Sequence, residues 1–164
     1  MTVFEYRVAT IADLETIWNF NIAKNPGDER WVRWKEEYIH QHSTGMATTF
    51  VVLCDGEPIG EGTLLLSPEC GAEKGRLDLV DGKTVANVNA LRIRKAYEGQ
   101  GHISKLMKVM ETYAAESGFE RLTIGVDASE TRNLAIYLHW GYDRFVLSYE
   151  EDGELVLFYA KELK

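Results

Sequence analysis

The stretch from Leu91 to Leu106, LRIRKAYEGQGHISKL, limits what this chain can fold into more than any other segment. Val85 to Arg94 reads as a strand rich in β-branched and apolar residues. Gly99-Gln100-Gly101 then turns the chain into a helix over His102 to Ser117. There Ile103, Leu106, Met107, Met110 and Tyr113 form an apolar stripe, and Gly118 fits the residue after a helix end. A helix start leaves about four amide N–H groups without intrahelical partners and carries a partial positive charge. Glycines let the backbone turn sharply and approach a ligand closely. Strand, glycine turn and helix start together make a cradle for an anion such as a diphosphate.

Charge supports that cradle. Arg92, Arg94, Lys95, Lys105 and Lys108 against Glu98 give residues 91–108 a charge of +4, in a chain whose net charge is −8. A positive island on an acidic protein is a place to hold an anionic ligand, while the molecule as a whole repels nucleic acid and anionic lipid. The dinucleotide-binding fingerprint fits poorly, because it needs glycine where Ser104 stands, and no Walker-type loop is present.

The other segments supply the elements around this one. Val3–Val8 reads as a strand. Thr10 is placed to cap a helix carrying Ile11, Leu14, Ile17 and Trp18, which Asn25-Pro26-Gly27 breaks. A second helix over Asp28–Ser43 sets Trp31, Trp34 and Tyr38 on one face, either a core stripe or the wall of an acceptor pocket. Thr48–Leu53 and Ile59–Leu66 pair as a hairpin about Asp55-Gly56. Residues 67–83 read as a loop, Leu122–Val126 as a strand, and 130–140 as a short helix. Phe145–Tyr149 and Leu155–Ala160 close the chain as a hairpin with an acidic tip, Glu150 to Glu154.

The expected fold class is α/β (α+β), a mixed, mostly antiparallel sheet of six to seven strands flanked by four helices. With no repeat or linker-like tract in 164 residues, residues 1–164 are expected to form one unit. No apolar run approaches the roughly 18 residues of a membrane span. The first residues, Met1 to Glu5, lack the pattern of a secretory leader. Two cysteines, Cys54 expected in a strand core and Cys70 in an open loop, suit a reducing setting, so the expected location is cytoplasmic. His40, His42, His102 and His139 make no metal-ligand pattern, and no metal is expected.

Leu91–Leu106 resembles the cofactor-binding motif of the GNAT superfamily of N-acetyltransferases, Arg/Gln-x-x-Gly-x-Gly/Ala after a strand. Asn133 to Tyr142, NLAIYLHWGY, resembles that family's Ala-x-x-Leu-Tyr-x-x-x-Gly-Phe segment, with Tyr137 and Gly141 in register. The resemblance implies a GNAT-like domain that moves an acetyl group from acetyl-CoA, as co-substrate, directly to a primary amine. It implies cofactor-binding roles for Leu91, Ile93, Gly99, Gln100, Gly101, His102, Ile103, Ser104 and Asn133. Backbone groups of Leu91 and Ile93 would pair with the pantetheine arm like an added strand. Tyr137 would be the general acid that protonates the departing thiolate, since a phenol with pKa near about 10 keeps its proton at neutral pH.

Four departures stand out. Glu98 occupies the place of the usual Arg or Gln, and Ile103 that of a small residue. Glu130 stands where an asparagine is common, and Asn133 where alanine is. Many relatives carry a carboxylate near position 87, where this chain has Asn87, with Asn89 on the same strand face. Glu61 and Asp78 are the remaining candidate bases, and the sequence does not choose between them. The acceptor is a small-molecule or peptide amine of unspecified identity. A homodimer is allowed by the open edges of such a sheet. The alternative function is a catalytically inactive CoA-sensing or partner-binding module, which Glu98 and the missing carboxylate motivate.

Overall fold

The computed structural model of the chain describes residues 1–163. Its elements run β1 (Phe4–Val8), α1 (Ile11–Lys24), α2 (Arg30–Thr44), β2 (Ala47–Cys54), β3 (Glu57–Leu65), β4 (Val85–Ile93), α3 (His102–Glu116), β5 (Arg121–Asp127), α4 (Thr131–His139), β6 (Arg144–Glu151) and β7 (Glu154–Glu162). Single 3-10 turns lie at Gly71–Glu73 and Lys95–Tyr97. Strand neighbours follow the order β1-β2-β3-β4-β5-β7-β6. β1–β2, β5–β7 and β6–β7 pair antiparallel, whereas β4 and β5 run parallel. This is the α/β class, strand number and helix number that the sequence predicts. The described residues divide into two compact units, neither continuous in sequence: Met1–Leu64 with Ala90–Met110, and Leu65–Asn89 with the described residues from Glu111 onward.

In the first unit, α1 begins with the expected cap. Thr10 accepts from the Asp13 amide, and the Asp13 carboxylate accepts from the Thr10 amide, a reciprocal box that satisfies two helix-end donors. Burying Leu14, Ile17 and Trp18 builds a core with Ala9, Tyr38, Val51 and Leu53. Each such large apolar side chain contributes about 1.5–3 kcal/mol. Trp31 and Trp34 pack half-buried against that core, so the aromatic stripe of α2 is mainly structural. The β2–β3 hairpin turns at Asp55 and Gly56, both with positive φ, as a two-residue turn requires. Gly60 and Gly62 keep the β4 side of β3 narrow. A Cβ at Gly60 would sit 3.0 Å from the Arg92 carbonyl oxygen, and one at Gly62 would sit 2.8 Å from Leu91 and 2.9 Å from the Met110 sulfur.

In the second unit, the segment between β3 and β4 is more ordered than the expected loop. Asp81 Oδ1 accepts from the amides of Lys83, Thr84 and Val85, which pins the entry to β4. Cys70 is fully buried here, not exposed as the loop composition suggested. Glu73 is also buried, meeting Arg76 at 3.4 Å and accepting from the Tyr149 hydroxyl at 3.2 Å. Gly125 allows β5 to lie under Phe158, whose ring would stand 2.6 Å from an added Cβ. The acidic tip between β6 and β7 is solvated, with Glu150 to Glu154 all exposed.

Candidate active site

β4 carries the first local decision. Its ladder to β5 covers Val85–Val88 alone, and Ala90 then adopts φ +55, in the left-handed region that an L-residue with a Cβ enters at a cost of roughly 1–2 kcal/mol. Leu91–Ile93 continue in β4 as far as Arg94, whose amide donates to the Ile59 carbonyl. Lys95–Tyr97 make one 3-10 turn, and Gly99 and Gly101 follow at φ +75 and +86. Nothing lies within 4 Å of a Cβ built at either glycine, so the turn is open around its backbone. Lys105 N–H donates to the Gly101 carbonyl, the opening bond of α3. The amides of His102, Ile103 and Ser104 precede it and have no intrahelical carbonyl to reach.

The side chain of His102 turns inward. Its Nδ1 lies 2.9 Å from the Tyr6 hydroxyl, its ring packs 4.3 Å from that of Phe4, and Nε2 is 3.3 Å from Gln100 Oε1. Burial, reinforced by Lys105, lowers its pKa below the ordinary value, so at neutral pH the ring is neutral and acts as a wedge. His102 and Gln100 therefore brace the turn from inside and leave backbone amides for a ligand. Glu98 is exposed, while the Arg94 guanidinium engages Glu57 at 3.1 Å. Open backbone, unpaired helix-start amides and nearby lysines fit a diphosphate.

The family model for the acetyltransferase (GNAT) family matches residues 11–142. The chain belongs to the GNAT acetyltransferase family. Curated proteins offer no match. Solved GNAT-type structures share its fold: an N-acetyltransferase from Staphylococcus aureus Mu50 has 18% identity and TM-score 0.69, covering 99% of both chains. The Salmonella typhimurium acetyltransferase that modifies the N-terminal serine of ribosomal protein L7/L12 has 16% identity and TM-score 0.71, over 98% of this chain and 95% of that one. An N-acetyltransferase from Thermoplasma acidophilum, solved in complex with coenzyme A, has 16% identity and TM-score 0.64, over 98% and 99%.

The GNAT motifs fall in different units. Leu91, Ile93 and the residues from Gly99 to Ser104 lie in the first, while Asn133 and Tyr137 lie on α4 in the second. Tyr137 is half-buried with its ring 5.7 Å from that of Trp140. Burial, then the Glu130 carboxylate, raises its pKa, so the hydroxyl holds its proton at neutral pH. Asn133 donates to Glu130 at 3.0 Å, a local pair on the exposed face of α4.

The asparagines on β4 have structural partners. Asn87 donates to Thr123 Oγ1 at 2.9 Å, Asn89 donates to Asn87, and Thr123 donates to the Leu79 carbonyl at 2.8 Å. This chain of bonds satisfies groups that would each cost about 1–3 kcal/mol if buried unpaired. Asp78 is exposed. Glu61 is different, at 2% exposure, with Oε2 accepting from Arg92 at 2.7 Å and Asn21 at 2.9 Å, and with Oε1 unpartnered. The positive φ of Ala90 escapes sequence reasoning, and so does the burial and pairing of Glu61, a residue named there only as a candidate base. Alanine carries no signal for the positive φ at position 90, although its place just ahead of Leu91 is a cue in hindsight. Glu61 is legible only from its glycine neighbours, which force β3 close on one side and direct Glu61 to the other.

Among the described residues no group of His, Cys, Asp and Glu side chains is arranged to hold a metal, and no helix is long and apolar enough to cross a membrane.

Proposed function

We propose that this protein transfers the acetyl group of acetyl-CoA to a primary amine. The observation that carries the proposal is the left-handed Gly99/Gly101 turn, open to solvent, delivering free amides at the start of α3 directly after the Leu91–Ile93 edge. Amides of Gly101–Ser104 would hold the diphosphate, with Lys95 and Lys105 adding positive charge. Backbone groups of Leu91 and Ile93, past the end of the β5 ladder, would hold the pantetheine arm. Acetyl-CoA supplies a thioester whose acyl carbon an amine can attack.

Protein groups do the rest. A backbone N–H beside Leu91–Arg92, fixed in the strand before reaction, stabilises developing oxyanion charge, an effect often worth about 3 kcal/mol. The Tyr137 hydroxyl, kept protonated by its surroundings, donates to the departing thiolate. No β4 asparagine serves as the base, because Asn87 and Asn89 spend their side chains on Thr123 and on each other. With no side chain assigned as the base, the acceptor amine enters as the free base or gives its proton to water. The inactive-module alternative was motivated by Glu98 and by the missing carboxylate at position 87; Glu98 is exposed, which removes the first motive, and the assay below decides on the second. Free Cys54 and Cys70 suit the cytoplasm, where the reaction is placed.

The test is release of free coenzyme A thiol over a panel of primary amines. Saturable, amine-dependent release supports transfer. Tight acetyl-CoA binding with no amine-dependent release across the panel would leave a binding module instead.

A further inference from the structure

On the α1 side of β3 and β4, the first unit holds a hollow, half open to solvent, with a cavity volume of about 50 Å³. Its walls are apolar: Ile17 and Phe20 from α1, Pro58 and Ile59 from β3. Glu61 also lines it, 2% exposed, its Oε2 accepting from Asn21 and Arg92 and its Oε1 without a donor. A buried acceptor left without a donor costs about 1–3 kcal/mol, so the hollow is built to receive an N–H or O–H group at that point. The rim is cationic. Lys24 is exposed and stands 5.5 Å over the Phe20 ring, and the Arg94 guanidinium lies 4.1 Å over the same ring beside Glu57.

We infer that this hollow binds a small amino-carboxylate, such as a free α-amino acid. Its ammonium group donates to Glu61 Oε1, and its carboxylate meets Lys24 and Arg94. The polarity excludes simpler ligands. An amine alone would gain Glu61 but leave the Lys24 ammonium without an anion, since Glu61 and Glu57 are already engaged by Arg92 and Arg94. A carboxylate alone would gain the rim and bring a like charge toward Glu61. A zwitterion satisfies both ends, and the apolar walls accept its side chain. Arg92 is already neutralised by Glu61 and is held over the rings of Trp18 at 5.3 Å and Trp31 at 5.1 Å, so it sets the carboxylate in place and is not the ligand's anchor. Arg92 and Ile93 line this hollow as well as the edge assigned to the pantetheine arm, but the glycine turn is no part of it, so amino-acid binding is read without acetyl transfer.

Calorimetry on the full chain tests it with the twenty common L-amino acids. For the best binder, the matching amine without the carboxylate and the matching acid without the amine serve as controls, and coenzyme A is titrated in parallel. At least one amino acid is expected to saturate at millimolar concentration and to bind at least about tenfold tighter than either control, a difference of roughly 1.4 kcal/mol. Lys24→Ala, at an exposed position, should weaken that binding several-fold while leaving coenzyme A affinity unchanged, and Glu61→Gln should abolish it. No saturable binding by any amino acid, equal binding of the single-charge controls, or undiminished binding by Lys24→Ala would overturn the site. Coenzyme A binding in the same series reports the glycine cradle separately, so failure of one assignment leaves the other standing.

Discussion

Single residues do distinct work in this protein, and their substitutions separate it. Tyr137 should donate a proton late in the reaction, not hold the cofactor. Tyr137→Phe is therefore expected to lower kcat by about a hundredfold, in the range of a general acid, with acetyl-CoA affinity within a few-fold of wild type. Steady-state kinetics beside calorimetry check this, and an unchanged kcat removes Tyr137 from the chemistry. Gly101 matters for its backbone. At φ +86 with open space around it, Gly101→Ala meets no clash within the protein, so its effect is the roughly 1–2 kcal/mol of left-handed strain placed where the diphosphate must approach. Coenzyme A affinity is expected to fall about tenfold, and the unfolding midpoint by a few degrees, roughly 2–4 °C per kcal/mol for a chain of this size. Ala90 holds the same backbone region without glycine's freedom, so Ala90→Gly should raise the unfolding midpoint if the left-handed turn is retained, whereas Ala90→Val should lower it.

At the scale of elements, the segment between β3 and β4 carries a titration. Burial pushes the Glu73 carboxyl from its ordinary 4.5 up to about 7, against the opposing pull of Arg76 and the Tyr149 hydroxyl. The folded chain then holds a proton that the unfolded chain releases between those values. Stability falls as pH rises from about 4.5 to about 7, by at most about 3 kcal/mol from this group. Denaturant unfolding at a series of pH values should show that decline, and Glu73→Gln should flatten it. Much of the element plan was legible beforehand, because its signals are local. Thr10 with Asp13 marks the start of α1, Asp55-Gly56 marks the hairpin, and Gly99 to His102 marks the entry to α3. Cys70 and Glu73 were illegible for the opposite reason. A stretch rich in glycine and charge reads as solvated loop, and the partner that covers Glu73 there, Tyr149, lies 76 residues further along the chain.

For the molecule as a whole, the family follows from two short motifs and their spacing, whereas the order of strands in the sheet was not read from the sequence. Acceptor chemistry was not legible. It depends on where side chains from distant segments meet, and no motif encodes that meeting. The charge pattern has a molecular consequence: a +4 island in a −8 chain should make coenzyme A binding weaken as salt rises. The most direct measurement is a crystal structure of the chain with acetyl-CoA. Diphosphate oxygens within hydrogen-bond distance of the Gly101–Ser104 amides, and the pantetheine arm along Leu91–Ile93, are the expected result. A nucleotide bound elsewhere, or a glycine turn left empty at saturating acetyl-CoA, would contradict it.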